Sequence, residues 1–234
     1  MPLHLRKRDT DLKEFMDDPE CDLQMLYATY YQFDTVNRLI GGWRRIYKSE
    51  IRPALLAADS QASVLDIGCG GGDILRMLGT FCEEDSLDVQ FTGIEPDNRA
   101  IEYVEKQTWP DNYSFLNATS HDLARQDSTF TVVISNHLIH HLTKPELNSI
   151  CDDAELLADK LVIFSDIERS DIGYLFFSSL APLFFKHSFI AADGIRSIRR
   201  SYRKNELQSL LPDGWRVNRQ FPFRLLATFE GGEI

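Results

Sequence analysis

The sequence predicts an α/β fold: a doubly wound, seven-stranded, mostly parallel sheet with a C-terminal antiparallel hairpin, N-terminal helices and a helical lid insertion. Three observations carry that expectation. Between residues 60 and 165, short apolar runs alternate with helical patterns, which right-handed strand–helix–strand crossovers require. Runs such as TVVIS and LVIFS are apolar throughout, as strands covered on both faces are. The last two apolar runs are separated only by a short turn near Pro222, so they should pair antiparallel.

A chain of 234 residues with 43% hydrophobic content can build one large core. We therefore expect a single domain, 1–234. It divides into a helical cap (22–56), a central core (60–165), a lid or substrate region (166–204) and a closing helix and hairpin (205–234). The opening MPLHLRKRDTDLKEF is highly charged and its first ten residues are expected to fray. It has no apolar run behind its basic residues, so it is not read as a signal peptide. From Asp22 to Leu56, apolar and aromatic residues recur at helical spacing, with Gly41-Gly42 dividing two helices. Pro53 fits the first turn of a further helical segment.

Ser63–Ile67 reads as a buried strand and Asp73–Glu83 as a helix. Val89–Ile94 and Arg99–Gln107 repeat the pair. Tyr113–Leu116 and Thr131–Ser135 are strands, Pro145–Leu157 is a helix, and Lys160–Ser165 is a fifth strand. Asn205–Leu211 is helical, and Trp215–Gln220 and Phe223–Phe229 form the closing hairpin.

Formal net charge is −11, which argues against general affinity for nucleic acid or an anionic membrane. Cys21, Cys69, Cys82 and Cys151 are scattered without a C-x-x-C pair, so a reduced, cytoplasmic protein is expected. The most apolar run, 172–189, is broken by Pro182 and Lys186, and no stable membrane insertion is expected.

The chemistry concentrates in VLDIGCGGGDI, residues 64–74. Glycines there let the backbone approach a ligand at the carboxyl end of the first strand. Asp73 stands where a dinucleotide fingerprint needs Gly or Ala, and a carboxylate there repels a pyrophosphate. With Asp66 before the loop, two acids suit a ligand carrying positive charge, such as an amino-acid ammonium with a sulfonium. Glu95, 23 residues beyond Gly72, closes the second strand, where a carboxylate can accept from both ribose hydroxyls. The segment Thr119-Ser120-His121-Asp122-Leu123 is expected to be a loop meeting an adenine edge.

Together, VLDIGCGGGDI, FTGIEPDNRAIEYV and FTVVISNHLIHHL resemble the class I S-adenosylmethionine-dependent methyltransferases, over roughly residues 60–165, and particularly those that methylate quinones and phenols. The resemblance implies that Asp66, Gly68, Cys69, Gly70, Gly72 and Asp73 line the methionine moiety and that Glu95 and Pro96 meet the ribose. It also implies that Ser120 and His121 flank adenine, while Asn136 and His137 border the sulfonium. The family often has an Asp near adenine where this chain offers Thr119 and Ser120. Arg44 is a candidate for the cofactor's carboxylate.

His140 and His141 are candidate general bases, since imidazole titrates near neutrality. Against this, histidines opening a helical segment often only pack or cap. A metal site on His137 and His141 has i, i+4 spacing but no Cys or carboxylate at metal spacing, so no metal is expected. The aromatic segment 171–190 reads either as a core helix or as a lid over an apolar acceptor, with Tyr30, Tyr174 and Phe177 as acceptor contacts. In the basic run 193–203, Arg196 could hold an acidic group, or the run could pair internally. The resulting expectation is methyl transfer from S-adenosylmethionine, leaving S-adenosylhomocysteine, to a small, aromatic or polyketide-like acceptor at O or C. The enzyme would be a monomer or homodimer. The alternatives are methylation of a protein or nucleic acid, or a non-catalytic cofactor-binding protein.

Overall fold

A computed structural model describes residues 5–126 and 128–232. Seven strands form one sheet: β1 (Ala62–Ile67), β2 (Val89–Ile94), β3 (Tyr113–Leu116), β4 (Phe130–Asn136), β5 (Ala158–Ile167), β6 (Arg216–Gln220) and β7 (Arg224–Glu230). Their spatial order is β3-β2-β1-β4-β5-β7-β6. β7 alone runs against its neighbours β5 and β6. The strand order reverses on either side of β1, which leaves the crevice where ligands bind in doubly wound sheets.

The period-2 alternation of each strand feeds two apolar layers. Leu65, Val133, Phe164 and Leu225 face α7 (Lys144–Leu157) through Leu147, Cys151 and Ala154, with Leu207 and Trp215 beside them. Val64, Val132, Ile163 and Leu226 face α4 (Asp73–Glu84) through Leu75, Leu78 and Phe81. Trp43, Ile46 and Ile51 complete that second layer. All four cysteines are free.

The cap begins with α1 (Leu23–Val36), whose Asp22 side chain accepts from the Gln24 and Met25 N–H groups. A wide π turn (Asn37–Gly41) ends at Gly42, where φ is +68° and a Cβ would stand 2.2 Å from the Gln220 side chain. Only glycine fits there. Then α2 (Trp43–Ile46), a second π turn and α3 (Arg52–Leu56) follow, with Pro53 in the first turn of α3. The remaining helices are α5 (Asn98–Glu105), α6 (Ser120–Ala124), α8 (Asp171–Phe184), α9 (Ile190–Arg200) and α10 (Lys204–Gln208).

Two expectations need correcting. Residues 120–124 form a short helix rather than a loop, because Thr119 and Asp122 cap it reciprocally. The opening does not fray over its described part. Arg8 donates to the Arg200 carbonyl (2.6 Å) and the His140 carbonyl (3.0 Å), Arg199 pairs with Asp9, and Asp193 accepts from the Phe15 and Met16 N–H groups. Residues 1–4 of the expected frayed segment lie outside the described residues. No described helix is long and apolar enough to cross a membrane.

Candidate active site

The carboxyl ends of β1, β2, β4 and β5 share one edge of the sheet, and the reversal of β7 brings its first residue, Arg224, to that edge. A cavity of about 1060 Å³ covers it. This exceeds the roughly 300–1,000 Å³ of an ordinary ligand pocket, leaving room for two molecules.

One half is built on β1 and β2. Gly68, Gly70 and Gly72 have φ of +72°, +50° and +74°, so the loop turns tightly at the head of α4. The Gly68 and Cys69 N–H groups donate to the Ile94 carbonyl (2.9 and 3.1 Å). Glu95 braces the same loop, accepting from the Gly70 and Asp97 N–H groups, each at 3.1 Å. Asp66 is buried, and its Oδ1 has no hydrogen-bond partner. Burial, then the charges of Asp73 and Glu95, push its carboxyl well above the usual range. Burial also raises Glu95, against its two N–H bonds. It pushes Asp73 up to about 6, against the Asn37 amide that donates to it at 2.8 Å. Three acids converge here around an orphaned oxygen, which fits the ammonium and sulfonium of S-adenosylmethionine.

An acid held above its ordinary pKa costs the ligand-free fold stability above that pKa, and a bound cation removes the cost. Binding should therefore expel protons near pH 6, and affinity should fall as pH drops below 6. Calorimetry with S-adenosylmethionine in two buffers of different ionisation enthalpy checks this. The apparent enthalpies should differ at pH 6; equal values there would remove the assignment.

Of the cofactor contacts expected from sequence, Asp66, Gly68, Cys69, Gly70, Asp73, Glu95, Pro96, Ser120, Asn136 and His137 line the cavity. Three do not. Arg44 is on the surface, bidentate to Glu84 (2.7 and 3.0 Å). His121 is exposed and stands 3.5 Å from Asp153. Gly72 is buried under Trp109 and Phe115, each within 3.1 Å of where a Cβ would be. Ser120 contributes wall only, since its hydroxyl donates to Asp153 (2.6 Å).

The other half lies past β4. His137 has φ of +61°, a conformation rare outside glycine. Its N–H bond to the Ser165 carbonyl (3.0 Å) and its ring contact with Arg224 hold it there. Burial, then the Arg224 charge, push its pKa well below the usual value, so it is a neutral imidazole. Next to it, Asp166 accepts from the His140 N–H (2.8 Å) and stands 2.7 Å from His140 Nδ1. Glu14 faces His140 Nε2 at 3.1 Å and accepts from Ser197 (2.6 Å). Burial alone would lower His140, but the Asp166 charge and both hydrogen bonds raise it to about 9. The same partnership holds Asp166 below the ordinary carboxylate range against its burial. His141 is less buried, with Nδ1 3.3 Å from Asp17 and Nε2 3.7 Å from Glu14. The ligand atoms of Glu14, His140 and His141 lie within 4.8 Å of one another. This is a different pair from the His137 and His141 weighed from sequence, and its carboxylate, Glu14, reaches it from far away in the chain.

Two expected acceptor contacts fall away. Tyr174 does not line the cavity. Arg196 stacks on Phe15, 3.8 Å from the ring centroid, and donates to the Ala192 carbonyl. Tyr30 lines the cavity, but on the cofactor side: a Cβ on Gly71 would meet it at 2.9 Å. Phe177 stays, with Phe176, Leu180, Phe184 and Phe185 of the same segment. Sequence reading missed Asn37, Glu14, Asp17, Asp166 and Arg224. Asp166 had a signal, since it follows the apolar LVIFS run at a strand's carboxyl end.

Residues 64–157 match a family described as methyltransferase domain. No curated protein matches the chain. Among solved structures, the chain is similar to the plantazolicin methyltransferase BpumL in complex with a pentazolic desmethylPZN analogue and SAH. That likeness has a TM-score of 0.61 and 12% identity, covering 90% of this chain and 96% of that one. The plantazolicin methyltransferase BamL, with a triazolic analogue and SAH, gives 0.54 and 16% over 90% and 96%. A structure on conversion of a disulfide bond into a thioacetal group during echinomycin biosynthesis gives 0.55 and 16% over 88% and 93%. At these identities the likenesses establish the shared fold.

Proposed function

We propose that this chain, an S-adenosylmethionine-dependent methyltransferase, methylates an oxygen or carbon of a small apolar acceptor, aromatic or polyketide-like. The supporting observation is the second half of the cavity: Phe33, Phe176, Phe177, Phe184 and Phe185 line it, continuous with the donor half.

When bound, the cofactor supplies an electrophilic methyl group on a sulfonium. The chain's own task is then to hold the acceptor in line with that group and to exclude water, which accounts for much of the rate in such displacements. Asn136 and the neutral ring of His137 form the wall between the halves. An ionisable acceptor must also lose a proton. His140 is a poor candidate: it is 1% exposed, both ring nitrogens face carboxylates, and at about pKa 9 it is already protonated at neutral pH. His141 is the better base. It is less buried, with Nδ1 3.3 Å from Asp17, the arrangement by which an acid orients an imidazole, and Nε2 3.7 Å from Glu14, beyond hydrogen-bond reach.

Transfer of labelled methyl from S-adenosylmethionine to a panel of phenols, naphthols and hydroxyquinones, against peptides and RNA, tests the reading. Label confined to a macromolecule would sink it. With a working acceptor, His141→Ala should lower kcat about 100- to 1,000-fold, with SAH affinity unchanged. An unaltered kcat would remove His141 from the role.

A further inference from the structure

Arg224 opens β7 and lines the cavity while only 2% exposed. Its guanidinium is held on neutral groups. Nε and Nη2 donate to Ser165 Oγ (3.2 and 2.8 Å), Nη2 donates to Asn136 Oδ1, and Nη1 donates to His137 Nε2 (3.0 Å). That uses four of the five N–H groups a guanidinium has, and one on Nη1 remains. Among the described residues no carboxylate forms an ion pair with it. Asp166 is the one acid whose charge bears on it, and Asp166 is engaged with His140 on both oxygens. A buried charge without a counter-ion is costly, and this one faces a cavity. It also stands beside β4 and β5, on the far side of Asn136 and His137 from the glycine loop.

We infer that Arg224 is the counter-ion for an anionic oxygen on the acceptor. The substrate class narrows to apolar aromatic acids or acidic enols and phenols, which bind as anions with the charged oxygen toward β7 and the reacting atom toward β4. The inference rests on the proposed acceptor reading of this cavity. The same chemistry, a carboxylate on a guanidinium, could instead serve the cofactor's own carboxylate, and the experiment separates the two.

The probes are 8-anilinonaphthalene-1-sulfonate and N-phenyl-1-naphthylamine, which share a ring system and differ by the sulfonate. Each is titrated by fluorescence into the SAH-saturated protein. The sulfonate should bind at least about tenfold more tightly than the neutral probe. Arg224→Gln should abolish that preference, with the neutral probe's affinity retained and SAH binding reporting an intact fold. Arg224→Lys, which keeps the charge, should retain part of it. No preference in the parent protein, or a preference surviving in Arg224→Gln, overturns the inference. If SAH binding weakens more than tenfold in Arg224→Gln while the probe preference persists, the counter-ion belongs to the cofactor. If neither probe binds the parent protein, the apolar-acceptor reading fails and takes this inference with it.

Discussion

Glu95→Ala is expected to weaken S-adenosylmethionine binding by about 100-fold, and to do so through two separable effects. The carboxylate stands just past the end of β2, where it is proposed to receive the ribose hydroxyls, and hydrogen bonds to a charged group are each worth about 1.5–3 kcal/mol. It also accepts from Gly70 N–H and Asp97 N–H, so its loss frees the glycine loop before any ligand arrives. Glu95→Gln retains one acceptor oxygen and should fall between the parent and the alanine variant. Calorimetry with S-adenosylmethionine and with SAH reads both. Affinity within threefold of the parent in the alanine variant would remove Glu95 from the site.

The second large effect is on stability. His140 is sealed between Asp166 and Glu14, with His137 and His141 close by. Removing one partner from a buried charged pair costs about 3–5 kcal/mol, so Asp166→Asn should lower Tm by roughly 6–15 °C. The sign of the pH effect follows from the direction of the shift. His140 is raised from 6.5 to about 9, so its contribution is complete below pH 6.5 and is lost as pH rises through 9. The loss is on the order of 3 kcal/mol and overlaps that of its carboxylate partners. Thermal or urea unfolding between pH 6 and 9.5 should show the parent weakening across that window and His140→Gln weakening less. A parent protein equally stable at pH 7 and 9.5 would refute the charged-imidazole assignment.

The strands were legible in the sequence because each is short, apolar and bounded by a helix or turn. Val89–Ile94 and Tyr113–Leu116 are placed to the residue. The donor half was legible for a related reason. Asp66, the glycines and Glu95 sit at strand ends within one contiguous stretch, so local pattern locates them. Arg44 misled because charge type alone cannot tell a cavity arginine from a surface one, and Glu84 one helix away satisfies it. The acceptor half resisted for a different reason. Glu14, His140, Asp166 and Arg224 are brought together by the sheet order and by an irregular segment wound over α9. No periodicity records a contact between residues 14 and 140.

That long-range assembly bears on how the protein comes into being during translation. Every residue of the proposed cofactor half, from Tyr30 to His137, has been polymerised before residue 140. The proposed receiving side needs Asp166, Phe177 and Arg224, which follow His137 by 29, 40 and 87 residues. The segment carrying Glu14 leaves the ribosome among the first, yet its anchor Asp193 is among the later residues to emerge. A nascent chain can therefore hold all the residues for gripping the donor while lacking the place to which the methyl is delivered. On that reading, competence for transfer waits for β7.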